Sequence, residues 1–121
     1  MAIASAEDIG RFLEDLARRK ATTTYGHVVE RFGLPPMEGA WAAHPLSAAF
    51  EYLDRQDAAA SRPFRTAVVV RKDSNVPGNG FFESIARLKE NGGVPASTDR
   101  AKEKVWVEEL NAAYAYTWPV R

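Results

Sequence analysis

One segment of this 121-residue chain reads as a β-strand. It runs from Phe64 to Val70, and Thr66-Ala67-Val68-Val69-Val70 is almost continuously apolar or β-branched. A run of this kind suits a strand covered on both faces. A single strand leaves its backbone groups unpaired, so a partner is required. Two short extended pieces could supply it, Ala21–Thr24 and Val76–Phe82. Most of the remaining chain carries helical periodicity. The expected fold is therefore mainly α with a small β component, an α+β domain of about five helices and a short two- or three-stranded sheet. It forms one domain over residues 1–121.

The helices announce themselves by their ends. Ser5 is a good N-cap, with Glu7 and Asp8 in the first turn, where carboxylates meet the positive end of the helix dipole. Ile9, Phe12, Leu13, Leu16 and Ala17 then follow the i, i+3, i+4, i+7, i+8 pattern, and Arg18, Arg19 and Lys20 close the helix. Thr24 caps a second helix with Val28, Val29 and Phe32 on its apolar face. Gly33 stands where a C′ glycine belongs, and Pro35-Pro36 forbids continuation. Met37 to Ala43 forms at most a loose turn. Pro45 opens a third helix at its first position, with His44 before it. Leu46, Ala49, Phe50 and Leu53 form its stripe, and it ends near Ala60. After the turn signal Asp73-Ser74-Asn75-Val76-Pro77-Gly78-Asn79-Gly80, Phe81, Phe82, Ile85 and Leu88 read as a fourth helix, ended by Asn91-Gly92-Gly93. Ser97 or Thr98 caps the last helix, with Val107, Leu110 and Tyr114 on one face. Tyr116, Trp118 and Val120 suggest a tail docked on the domain.

Composition excludes several chemistries. The chain has no cysteine, so thiolate nucleophiles, disulfides and Cys-ligated metals are absent. Two histidines, His27 and His44, show no metal-binding spacing. Asp73, Asn75 and Asn79 share one loop but lack the bidentate glutamate of a calcium loop. No G-x-S-x-G elbow occurs. The expectation is a domain with no catalytic residues, no cofactor and no metal. Sixteen Lys+Arg balance sixteen Asp+Glu. Residues 1–73 hold ten of each sign and 74–121 six of each, so any basic face must be assembled by folding. No apolar run approaches the roughly 20 residues of a membrane span, and the first residues do not have the pattern of a secretory signal. A cytoplasmic protein is expected.

The most distinctive segment is Pro77-Gly78-Asn79-Gly80-Phe81-Phe82. Glycines before a helix let backbone N–H groups converge on an anion, and Arg71 and Lys72 lie just upstream. The plainer reading is a tight turn with positive φ at glycine, followed by an aromatic anchor. Trp41, between Pro36 and Pro45, and Trp118, near the C-terminus, are the candidate anchors for a protein partner.

Two resemblances add to this reading. The run from Thr22 to Pro35, TTTYGHVVERFGLP, resembles the start of the winged-helix DNA-binding domain of O6-alkylguanine DNA alkyltransferase-like proteins. That likeness implies a winged-helix-like domain whose Tyr-containing helix start approaches DNA phosphates. The family's Pro-Cys-His-Arg motif is replaced here by Arg65-Thr66-Ala67-Val68, and alkyl transfer is chemically impossible without the thiolate. The string RPFRTAVVV (62–70), with VPGNGFF (76–82), is similar to small bacterial proteins carrying an "LPPLTALVV…GLPGxGF" pattern and a late Trp/Tyr-rich helix. That group implies a fold neighbour but no mechanism.

Together these lines lead to one expectation and one alternative. The expectation is a small bacterial domain that binds DNA. Thr24, Tyr25, Arg31, Arg71, Lys72, Gly78, Asn79 and Gly80 would contact phosphates through hydroxyl, guanidinium, ammonium and backbone N–H groups. The alternative is an interaction or regulatory module, as in a defence or stress system, that meets a protein partner or a second copy of itself through Trp41 and Trp118.

Overall fold

The computed structural model describes residues 5–89 and 93–118. Within them lie five α-helices and two short strands, in the order α1 (Ala6–Arg18), β1 (Thr23–Thr24), α2 (Tyr25–Arg31), α3 (Pro45–Ala59), β2 (Val69–Val70), α4 (Asn79–Ser84) and α5 (Asp99–Ala115). The expected α+β class is what the chain adopts. Val120 and Asn91-Gly92 lie outside the described residues.

The caps behave as the sequence predicts. Ser5 and Asp8 form a reciprocal capping box on α1. The Thr24 hydroxyl accepts from the His27 N–H at the start of α2. Gly33 adopts φ +64° after that helix, and the Leu34 N–H donates to the Val29 carbonyl. Pro45 opens α3 behind a less usual cap, since His44 Nδ1 accepts from the Leu46 N–H at 3.0 Å. Its Nε2 lies 2.8 Å from the Pro35 carbonyl, which fixes the neutral tautomer with the proton on Nε2. Thr98, not Ser97, caps α5.

The sheet corrects the sequence reading. Only Val69–Val70 is strand, paired in parallel with Thr23–Thr24. The partner is thus the first of the two candidates. Residues Arg65–Val68, expected as strand, form a 3₁₀ turn. The cause is polar and lies on α1 and the end of α3. Arg65 donates from its backbone N–H to Asp57 Oδ2 at 2.9 Å and from its guanidinium to Glu14 at 2.8 Å. The Thr66 hydroxyl donates to Asp54 at 2.7 Å. These inward bonds coil the chain where its apolar character alone favours extension.

The core has two parts. Ile9, Leu13, Leu16, Val28, Leu46, Phe50, Leu53, Val68 and Val69 pack between α1, α2, α3 and the strands. Phe64, Ala67, Phe81, Phe82 and Ile85 form a second cluster under α5. The fourth helix is shorter than expected: it gives way after Ser84 to a π-turn over Ile85–Lys89. On α5 the expected apolar face holds only in part. Val107 is exposed, and Ala113 is the buried residue of that helix.

Across the core runs a charged seam. Arg65 is almost fully buried between Glu14 of α1 and Asp57 of α3. Arg62 adds a second cation to Asp57 at 2.6 Å, and Arg18 lies 3.9 Å from Glu14. Gly10 makes room for this seam, since a Cβ there would stand 2.7 Å from Arg65 Nη1 and 3.0 Å from Leu53.

Candidate functional site

The two strands run side by side in the same direction, so their carboxyl ends open on one edge. Tyr25 follows β1 directly, and Arg71 follows β2 directly. In open α/β sheets ligands bind at the carboxyl ends of parallel strands, and here a cavity of about 700 Å³ occupies that position. Its walls come from α2, α3, α4 and the Trp41–Ala43 turn. Tyr25, Trp41 and Phe50 form an aromatic side, with ring centroids 5.6 to 6.1 Å apart. Glu51, Asp54 and Glu83 bring carboxyl groups, and Arg71 and Arg87 bring guanidinium groups.

The sequence-predicted residues largely converge here. The Tyr25 hydroxyl accepts from the Gly78 N–H at 2.9 Å, joining positions 53 residues apart. Burial pushes the Tyr25 phenol up, and the bond from Gly78 offsets part of that rise. The chain from Arg71 to Val76 closes on itself, with the Arg71 N–H on the Val76 carbonyl and the Asn75 N–H on the Arg71 carbonyl, both at 2.8 Å. Arg71 also pairs with Asp73 at 2.9 Å. Lys72 is exposed beside it. Asn79 accepts from Lys102 of α5 at 3.0 Å, which brings a third cation to the same rim. Thr24 stands at the strand end, with its hydroxyl committed to the cap.

Four expectations are corrected. The glycines of the turn do not need positive φ: Gly78 has φ −72° and Gly80 lies in α4. Close approach requires Gly80 instead, since a Cβ would sit 3.3 Å from Trp41 Nε1. The Gly78 N–H, expected to face an anion, is taken by Tyr25. Arg31 stands apart from the cavity, over the rings of Phe12 and Phe32 at 5.2 and 5.8 Å. Trp118, expected as a partner anchor, is buried with its Nε1 donating to the Ala113 carbonyl at 2.9 Å. Trp41 is half-buried in the cavity wall and stacks on His44.

Sequence reasoning missed the floor. Asp54 is 3% exposed, and it meets two hydroxyls, Thr66 and Ser84, and, among the described residues, no cation. Burial pushes its carboxyl up to about 7, with the charges of Asp57 and Glu51 adding to the rise and the two hydroxyl bonds opposing it. Glu51 differs although it lines the same cavity. Burial raises it, but bonds from Arg87 at 2.6 Å and Arg55 at 2.5 Å outweigh that and hold it below the usual carboxylate range. The missed signal was positional. Asp54 falls four residues after Phe50 and eight after Leu46, on the apolar stripe of α3.

The arrangement can hold a ligand with an apolar body against the rings and a polar or charged group on the floor. Among the described residues, no three His, Asp or Glu side chains gather as a metal site, and no helix is long and apolar enough to cross a membrane. Comparison of the chain with protein-family models, with curated proteins and with solved structures returned no match.

Proposed function

We propose that this chain is a non-catalytic binding domain that meets DNA with the rim at the carboxyl ends of its two strands. One observation carries the reading. Thr24 and Tyr25 come from one part of the sequence and Arg71, Lys72, Gly78, Asn79 and Gly80 from another, and parallel pairing of β1 and β2 brings them to one edge. Lys102 joins Arg71 and Lys72 there. The cations stand at the rim while the carboxyl of Asp54 lies beneath, so a strand would lay its phosphates outside and a base or sugar against Trp41. The Arg71 guanidinium and the Lys72 ammonium supply the contacts. The Gly78 N–H does not. Arg31 is not among the residues that line the cavity.

Fluorescence polarisation with labelled single-stranded and duplex DNA at low salt tests the proposal. The expected affinity is micromolar or weaker and falls as salt rises. Replacing both Arg71 and Lys72 by alanine lowers the log–log salt slope by about 1.5, the share of two phosphate contacts. Absence of binding at low salt, or an unchanged slope in the double variant, refutes it. The protein-partner alternative rested on two tryptophans. Of these, Trp118 lies in the core and Trp41 stands half-buried in the cavity wall.

A further inference from the structure

Three buried carboxyl groups occur among the described residues: Glu14, Asp54 and Asp57. Burying an anion without a partner is costly, and folds meet that cost with a cation. Glu14 and Asp57 follow the rule, held by Arg65, with Arg62 on Asp57. Asp54 does not follow it. Neither arginine that lines its cavity acts on it: Arg87 pairs with Glu51, and Arg71 stands exposed beside Asp73. The uncompensated carboxyl borders a cavity of about 700 Å³ whose adjoining wall is three aromatic rings. Ring faces attract cations, most strongly when water is displaced.

We propose that the cavity is a binding site for a small organic ammonium ion, with the Asp54 carboxylate as its counter-ion and Tyr25, Trp41 and Phe50 as its aromatic wall. This site lies beneath the rim and does not depend on DNA binding there. A neutral ligand of the same shape would fill the cavity but leave the carboxyl unmet. An anion on the floor would face the Asp54 carboxyl itself, although Arg71 and Arg87 also line the cavity. Burial holds the Asp54 carboxyl above the usual carboxylate range, and a cation beside it would draw it back down. The charged and titratable groups around it are Glu51 and Asp57 on its own helix, Arg65 on the following turn, Tyr25, Arg71, Glu83 and Arg87.

The test uses choline and its uncharged isostere 3,3-dimethylbutan-1-ol, titrated into the full chain by calorimetry. Choline keeps its charge at every pH, so any pH dependence belongs to the protein. At pH 8 choline binds, and the alcohol binds at least tenfold more weakly. Lowering the pH to 5.5 weakens choline by about tenfold or more, as Asp54 takes up its proton. Asp54→Asn weakens choline at least tenfold and leaves the alcohol unchanged. Trp41→Leu, at a half-buried position, weakens choline several-fold and keeps the fold intact by circular dichroism. Equal affinity for the two probes overturns the proposal, as does choline binding that is unchanged in Asp54→Asn. So does choline affinity weaker than about 10 mM at pH 8.

Discussion

Replacing Asp54 by asparagine is expected to stabilise the protein above neutral pH. The folded state raises this carboxyl from 3.8 to about 7, chiefly by burial. Between those values the folded chain holds a proton that the unfolded chain has released. The contribution of Asp54 to stability therefore falls as pH rises through that window, and the penalty is complete above it. Integrating the two titrations gives a loss of about 2–3 kcal/mol between pH 5 and pH 8. Asparagine has nearly the same shape, and its Oδ1 can accept from the Thr66 hydroxyl as the carboxyl does. It carries no charge to desolvate. Urea denaturation of both proteins at pH 5 and pH 8 measures the effect, and subtracting the profiles removes every other titrating group. The variant gains about 2–3 kcal/mol on wild type between the two conditions, near 10 °C in melting temperature for a chain of this length. Parallel pH profiles would refute the reasoning, as would a variant less stable than wild type at pH 8. A stabilising substitution at a cavity floor is the pattern expected where a residue is kept for binding at a cost in stability.

Other substitutions probe the frame around the site. Arg65→Met leaves Glu14 and Asp57 buried with less compensation and is expected to cost about 3–5 kcal/mol in urea denaturation; a loss under 1 kcal/mol contradicts the charged seam described above. Gly10→Ala places a Cβ 2.7 Å from Arg65 Nη1, so thermal melts should show a loss of about 1–3 kcal/mol despite alanine's better helix propensity. Tyr25→Phe keeps the ring and removes the acceptor of the Gly78 N–H. It should cost about 1 kcal/mol and speed hydrogen exchange at Gly78, with little change at Val28.

Much of the frame was legible in the sequence because capping is local. Ser5, Thr24, Gly33, Pro45 and Thr98 act within a few residues, and short-range chemistry decides where their helices begin or end. The strand was harder to read. Val68 and Val69 look alike in one dimension, but Arg65 and Thr66 bond to groups eight and twelve residues back on α3. That tertiary demand coils the first half of the run. The cavity was half legible. Tyr25, Arg71, Gly78, Asn79 and Gly80 were visible as turn and strand-end residues, and the parallel register joins them. Asp54 belongs to no motif in the sequence. Its place on the Leu46–Phe50 stripe pointed inward, but only the fold shows that no cation meets it there.

Whether the strand-end cavity and its rim form the binding face is read by two-dimensional ¹H–¹⁵N NMR during titration with a short DNA strand and, separately, with choline. DNA is expected to shift the amides of Arg71, Lys72, Asn79 and Gly80, and choline the Trp41 indole and the amides around Asp54 and Ser84. Shifts centred on Arg31 and the Phe12–Phe32 side of the domain, or none with either probe, would contradict this.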